Sequence, residues 1–331
     1  MTEQPFKLFR LPTVALRNVL QLMNPIELAE LSQCSKRALS LIPLSGSRKF
    51  RLLINQFSSS IHILAPSNIN SFRMYSNSTQ SKYILHGTRT FMDSTVKISH
   101  CSEDQLYSFW DDQYVGFKTV FLHLSKIFNC AIESARFRPT TPAVINMPII
   151  DLIISRQSEI KELYVGGENL PDEYVIEIFN KLRVTDHLLI CHEFSMPPPS
   201  SIPFYSKSID IWSSYWITTE HLNSMRNSTV IKLNWTTLTD RDMMPFLNNW
   251  KSGEFPNLQY LSIKSNFLSK NFTAFGLPLL RDTLNPQEHN RHILGLPRTI
   301  HGGVDVQRDD GVVATVHFDN GEGVLQMMLL E

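Results

Sequence analysis

Apolar positions recur along the chain with two different periods. Leu16, Val19, Leu20 and Met23 stand at i, i+3, i+4 and i+7, the stripe of an amphipathic helix. Pro12 suits the first position of that helix, where its missing N–H costs nothing. Asn24-Pro25 stops it, because the residue before a proline is biased away from helical geometry. The same pair opens a second helix, with Asn24 as N-cap, Pro25 first and Glu27 three residues on, carrying Ile26, Leu28, Leu31 and Cys34. A third short helix is expected from Ser35 to about Ile42, ended by Pro43. Three such helices bury too little apolar surface to stand alone.

From Phe50 the period shortens to two. Phe50–Ile54 and Ile61–Leu64 predict a hairpin across Ser58-Ser59-Ser60. Residues 66–82, rich in Ser and Asn, predict a loop, and Tyr83–Leu85, Thr90–Met92 and Thr95–Ile98 predict further strands. Phe117, Val120, Phe121, Leu124 and Phe128 share one helical face and predict a helix over 113–128, with His123 as a surface or interface imidazole.

Beyond residue 130 a unit repeats. Apolar pairs two residues apart recur at Leu163/Val165, Leu188/Ile190, Ile209/Ile211, Ile231/Leu233 and Leu261/Ile263, with Ala135/Phe137 as an earlier candidate. The first members lie 25, 21, 22 and 30 residues apart, against a leucine-rich-repeat period of ~20–29. Leu258, Leu261, Ile263, Asn266 and Leu268 fit L-x-x-L-x-L-x-x-N-x-L in full. After Val165, residues Val175, Ile178, Phe179 and Leu182 occur at the offsets at which Met243, Phe246, Leu247 and Trp250 follow Leu233. Those offsets describe a helix laid over the preceding strand. One strand–helix unit cannot bury its face alone, so units stack. The Pro-rich stretch from Met196 to Pro203 is expected as a loop between two units. Val304–Gln307, Val312–His317 and Val324–Met328, with turns at Asp310-Gly311 and Asn320-Gly321, predict an antiparallel meander at the open edge.

Composition narrows the function. Lys plus Arg and Asp plus Glu both number 31, so the formal charge is zero, which argues against a basic field for nucleic acid or an anionic membrane. Hydrophobic content of 42% with 19% charged residues supports a sizeable core. The four cysteines, at 34, 101, 130 and 191, form no CxxC pair and are expected as free thiols. The longest apolar run, Ala143 to Ile154, is broken by Asn146 and Asp151 and falls short of the ~20 residues that span a bilayer. Glu3, Pro5 and Lys7 precede any apolar run, so no secretory leader is expected, and the chain reads as cytoplasmic and/or nuclear.

Leu11-Pro12, Leu16, Val19-Leu20, Met23-Asn24-Pro25, Glu27-Leu28, Leu31-Ser32 and Cys34-Ser35-Lys36 together resemble the F-box. The resemblance implies docking to a Skp-type adaptor, and through it to a cullin and a ubiquitin-loading RING enzyme. It implies that Leu11, Pro12, Leu16, Leu20, Leu28 and Leu31 face the adaptor or brace the helices that do. The phrase Phe6-Lys7-Leu8-Phe9-Arg10-Leu11-Pro12 resembles the nematode F-box set. Trp250, Gly253, Phe255-Pro256, Leu258 and Leu261, then Gly302-Gly303-Val304-Asp305 with Arg308, Asp310 and Gly311, resemble the type 2 F-box-associated domain of that set over roughly 205–325.

Enzyme constellations are missing from the sequence: it holds no G-x-S-x-G, phosphate loop or HExxH. His187, Cys191, His192 and Glu193 are the densest group of possible ligands, but strand alternation sends Cys191 and His192 to opposite faces. His289 and His292 lack a second ligand pair, and Asp309-Asp310 before a glycine reads as turn chemistry. A surface remains. The outward members of the repeated strands are Tyr164, Asp210, Trp212, Lys232, Asn234, Ser262 and Lys264, and they are the candidate target contacts. Trp212 either faces solvent or lies under the terminal meander.

The expected fold is α/β: an N-terminal three-helix F-box followed by an irregular leucine-rich-repeat-like solenoid closed by a C-terminal antiparallel meander. The expected division is 1–45 for the F-box, 46–128 for a connecting region and 129–331 for the target-binding domain. The expected function is that of a non-catalytic substrate-recognition subunit of a Skp–cullin–F-box ubiquitin ligase, without cofactor or metal. The alternative is a scaffold that binds partners without ubiquitin transfer.

Overall fold

The chain divides into two units, residues 1–157 and 158–331, in a computed structural model that describes residues 8–66, 68–199, 202–269, 272–275, 277–278, 288–319 and 321–330. Phe6, Lys7 and the turn residue Asn320 lie outside the described residues.

The first unit begins with helices placed by local capping. Helix α1 covers Thr13–Leu22, so Pro12 is its N-cap rather than its first residue. Helix α2 covers Pro25–Gln33 and carries the expected capping box. Asn24 Oδ1 accepts from the N–H groups of Ile26 and Glu27, each at 2.9 Å, and the Glu27 carboxylate accepts the Asn24 N–H at 2.7 Å. In α3, Lys36–Leu41, the Ser35 hydroxyl accepts the Ala38 N–H at 3.0 Å. The predicted hairpin forms as β1 (Arg51–Asn55) and β2 (Ser60–Leu64), paired antiparallel.

Residues 66–82 depart from expectation. Instead of a loop they form strand β3, Ile69–Ser76, followed by a 3-10 turn over Asn77–Lys82. The polar residues that suggested a loop are internal: Asn70 Nδ2 donates to Asp104 at 2.9 Å, and Ser71 Oγ meets His62 Nδ1 at 2.8 Å. Partners of this kind make Asn70 Nδ2 and Ser71 compatible with a buried strand, although Asn70 Oδ1 is left without a partner among the described residues. Tyr83–Leu85 is not a strand. Strands β4 (Thr88–Phe91), β5 (Ser94–Ser102) and β6 (Gln105–Trp110) follow. Helix α4 spans Gln113–Phe128 as its periodicity predicts, then β7 (Ala131–Arg136) and α5 (Ala143–Arg156). The sheet order in this unit is β7-β1-β2-β3-β6-β5-β4. His123, on α4, is an internal tether: its Nδ1 accepts the Met92 N–H at 3.1 Å. Burial, helped by Lys126, pushes its pKa down to about 4, which keeps that nitrogen an acceptor. The apolar run Ala143–Ile154 proves to be α5, and among the described residues no helix is long and apolar enough to cross a membrane.

The second unit alternates strand and helix through most of its length. Strands β8 (Glu159–Val165), β9 (Arg183–Ile190), β10 (Ser208–Ile211), β11 (Val230–Thr236) and β12 (Tyr260–Ser265) run parallel in chain order. Helices α6 (Asp172–Lys181), α7 (Thr219–Ser224) and α8 (Asp240–Lys251) make crossovers. The repeated apolar pairs fall into register: Leu163, Leu188, Ile209, Ile231 and Leu261 are successive partners, as are Val165, Ile190, Ile211, Leu233 and Ile263. These rows are buried together with Val175, Ile178 and Phe179 of α6 and Met243, Phe246, Leu247 and Trp250 of α8.

After β12 come a two-residue pair, β13 (Thr273–Ala274) with β14 (Leu277–Pro278), and a hairpin of β15 (Glu288–Ile293) with β16 (Leu296–His301). Strands β17 (Val304–Gln307), β18 (Val313–Asp319) and β19 (Val324–Leu329) form an antiparallel meander, and β19 pairs with β12. Leu325 and Met327 thereby continue the two apolar rows opposite Ile263 and Leu261. The meander covers the last parallel edge as expected, through the pairing of β19 with β12, and among the described residues the sheet stays open. What stands is a mixed α/β chain with helices at its start and a large sheet.

Candidate target-binding surface

Alternation along β8–β12 puts the apolar rows under the helices and a second set of residues on the opposite face. Tyr164, Leu189, Asp210, Lys232, Ser262 and Gln326 are register partners across that face. The Lys232 ammonium meets the Asp210 carboxylate at 2.7 Å, and Asn234 Nδ2 donates to the same carboxylate at 3.5 Å. Tyr164 lies edge-on to His187, with ring centroids 5.2 Å apart. Lys264 pairs with Glu322 at 2.7 Å. Of the seven sequence candidates, Asp210, Lys232 and Asn234 form one hydrogen-bonded group. Tyr164, Ser262 and Lys264 share the sheet face without joining it.

Trp212 is 54% exposed, so it faces solvent and the meander does not cover it. One residue that the sequence pattern missed stands beside this set. Trp235 is 56% exposed, and its backbone takes φ +58, a left-handed conformation that costs a bulky side chain stability. The pairing of β11 with β12 slips between Leu233 and Thr236, a bulge that breaks the alternation and turns the indole outward. The Lys264 ammonium lies 4.7 Å from the centre of its ring.

The His187–Glu193 group does not converge on one point. His187 contacts Tyr164, His192 Nε2 lies 2.8 Å from the Asp172 carboxylate, and Glu193 accepts from the Ser213 hydroxyl. Burial, with the nearby Asp210 charge, pushes the Cys191 thiol up to about 12, which makes it a poor nucleophile. Asp310 accepts two bonds from the buried Arg308 guanidinium, consistent with turn chemistry at Asp309-Asp310.

Asp172, at the start of α6, holds the chain leaving β9. Its carboxylate also accepts the N–H groups of Ser195 and Met196, at 2.8 and 3.4 Å. Burial alone would raise its pKa; the bonds from His192, Ser195 and Met196 outweigh burial and hold it below the usual carboxylate range. A depressed folded-state pKa contributes stability that is present above the unfolded value and lost as pH falls through the folded one. Asp172→Asn is therefore expected to flatten the loss of thermal stability on acidification below about pH 4. Melting curves taken across that window check this, and parallel losses in the two proteins would disprove it.

At the opposite end of the chain, Leu16, Leu20 and Leu28 are buried inside the first unit, whereas Leu11 and Leu31 are half-buried and Pro12 is exposed. Two apolar residues outside the sequence candidates are more open still: Val14 at 71% and Leu22 at 88% exposure. Glu30 of α2 is held by Arg89 at 2.6 Å and faces His100 at 3.4 Å, which ties the helices to β4 and β5.

Comparison with known families adds identity to this geometry. Residues 8–50 match the F-box domain, and residues 201–263 match a domain described as F-box associated. The chain carries an F-box at its start and an F-box-associated domain in its second unit. Full-length similarity agrees: the Skn-1 dependent zygotic transcript 15 protein of Caenorhabditis elegans is 23% identical over 352 residues, covering 95% of this chain and 94% of that protein. No solved structure matches the chain. The F-box segment contains α1–α3. The F-box-associated segment contains Asp210, Trp212, Lys232, Asn234, Trp235 and Ser262, and Lys264 follows its last matched residue directly. It ends before the Gly302-Gly303 and Asp310-Gly311 phrase. This pair of domains suggests a substrate-adaptor role in ubiquitin ligation, in a family whose members are typically non-catalytic, and the F-box implies a Skp-type adaptor as partner.

Proposed function

We propose that the chain is the substrate-recognition subunit of a Skp–cullin–F-box ubiquitin ligase. Residues 1–45 dock the Skp-type adaptor, 46–128 connect, and 129–331, a leucine-rich-repeat-like array, bind a target protein for ubiquitin-dependent degradation. In the F-box, Leu16, Leu20 and Leu28 brace the helices, and Leu11, Pro12 and Leu31, with Val14, offer the contact surface. In the array, Asp210, Trp212, Lys232, Asn234 and Lys264 with Trp235 form the target face, and Tyr164 and Ser262 extend it. The observation that carries this reading is the coexistence of an F-box and a separate sheet face bearing two solvent-exposed tryptophans, a residue type enriched at binding hot spots. The chain contributes proximity: holding a target beside a charged transfer enzyme raises its effective concentration there.

Co-expression with a Skp-type adaptor should give a stoichiometric complex on size exclusion. Reconstitution with cullin and RING components should then transfer ubiquitin to captured partners, and Trp235→Ala should reduce that capture at least about tenfold. Failure to co-elute with the adaptor overturns the assignment. A stable adaptor complex that captures partners and never modifies them identifies a scaffold instead.

A further inference from the structure

Between β12 and β17 the chain leaves the sheet and returns as the β15–β16 hairpin. Ile293 and Ile300 form a buried cluster with Val230, Tyr260 and Met328. Arg291 donates to the Leu329 carbonyl at 2.7 Å, and the Arg298 guanidinium lies 5.0 Å from the centre of the Tyr260 ring. Val230 and Tyr260 precede Lys232 and Ser262 by two residues on their strands, so the hairpin sits on the same sheet face as the Asp210–Lys232 pair.

Two properties set this hairpin apart. Its formal charge is positive: Arg291 and Arg298 stand against Glu288 alone, with neutral His289, His292 and His301 on the same two strands, in a chain whose formal charge is zero on the same count. Its tip is apolar and strained. Leu294 takes φ +52 and Gly295 φ +77, the two left-handed positions of a two-residue hairpin turn, where Asn-Gly is the favoured pair. Leucine tolerates that conformation poorly, yet Leu294 stands exposed, as does Leu296 two residues on. The turn keeps an aliphatic side chain in solvent where asparagine would suit the backbone better.

We propose that the β15–β16 hairpin is a target-contact finger that takes an acidic protein segment carrying an aliphatic anchor residue. The inference rests on the reading of the second unit as the target-binding part. The cationic flanks attract and orient carboxylates, and Leu294 and Leu296 supply the apolar contact that holds the segment. Stability and binding should therefore move in opposite directions when the tip is made ideal for its turn.

The test uses the full chain and three fluorescent peptides of about 12 residues, alternating Glu/Leu, Lys/Leu or Glu/Ser, read by anisotropy. The Glu/Leu peptide should bind at least about tenfold tighter than either other peptide, and more weakly as salt rises. Leu294→Asn should melt at the same or a higher temperature than the parent and lose at least about fivefold in Glu/Leu affinity. Arg291→Gln with Arg298→Gln should abolish the preference for Glu/Leu over Lys/Leu. The finger is overturned if the Lys/Leu peptide binds as tightly, if none of the three binds, or if Leu294→Asn binds like the parent. Trp235→Ala, run in parallel, separates the two readings. Glu/Leu binding lost there but retained in Leu294→Asn leaves the target face standing and removes the finger.

Discussion

The double substitution Pro12→Asp with Val14→Asp is expected to abolish the adaptor complex at micromolar concentration while leaving the fold as firm as before. Helix α1 has no side-chain cap and no acid in its first turn. Aspartate at the N-cap supplies the missing acceptor, worth about 1 kcal/mol. A second acid in the first turn meets the positive end of the helix dipole, worth about 0.3–1 kcal/mol. Both native side chains face solvent, so their removal leaves no cavity. In the docked state the same two charges would lie in a desolvated seam, where a hot-spot loss of about 2 kcal/mol or more lowers affinity at least about thirtyfold. Leu28→Asp makes the contrasting case. Leu28 is fully buried, and an unpaired carboxylate there costs several kcal/mol, on the order of the stability of a typical domain. That variant should lose adaptor binding because the first unit unfolds. Melting curves and adaptor co-elution, taken on both proteins, separate docking from folding. A well-folded double variant that co-elutes as the parent does would remove this surface from the interface.

The contrast shows what a hydrophobic stripe can say. Leu16 and Leu20 share a helical face, and periodicity reveals that; which neighbour covers the face depends on contacts far along the chain. Phe50, the last residue of the F-box segment, packs on Phe128 with ring centroids 5.6 Å apart, and Glu30 of α2 pairs with Arg89, so the F-box segment is fastened to the rest of the first unit. Capping, by comparison, is local, and the Asn24–Glu27 box could be read directly. The repeated apolar pairs of β8–β12 were legible because register turns a sequence period into a row of contacts. Strand β3 was not, since Asn70 and Ser71 look like loop residues until Asp104 and His62 supply their partners. Among the target-face candidates, alternation located Asp210, Lys232 and Asn234. Trp235 escaped because a bulge breaks the alternation, and nothing local in Asn234-Trp235-Thr236 announces the slip.

Gly116→Ala is expected to destabilise the first unit by about 2–3 kcal/mol, although alanine is the better helix former. Helix α4 is capped by Asp112, which accepts from the N–H groups of Tyr114 and Val115 at 2.8 and 3.2 Å. Gly116 lies in the first turns after that cap, where the helix passes directly over β6. A methyl group there would lie 2.4 Å from Trp110 Cγ, with Cδ2 and Cδ1 at 2.6 and 2.7 Å. These are the atoms at the root of the indole, which cannot swing aside as the end of a flexible chain could. Trp110 is further held by its Nε1–H, which donates to Ser108 Oγ at 2.9 Å, and by Phe91, 6.1 Å away between ring centroids. Relief requires α4 to withdraw from the sheet, and α4 carries Phe117, Val120, Phe121 and Leu124 into the core. The gain of about 1 kcal/mol in helix propensity is smaller than that loss. Trp110→Leu alone should also destabilise, through the space it vacates, but in the Gly116→Ala background it should restore part of the stability. Denaturant unfolding of the two single variants and the double variant measures the coupling, expected at about 1 kcal/mol or more. Additive losses would mean that α4 and β6 accommodate the methyl group without the indole, and the steric account of Gly116 would fail.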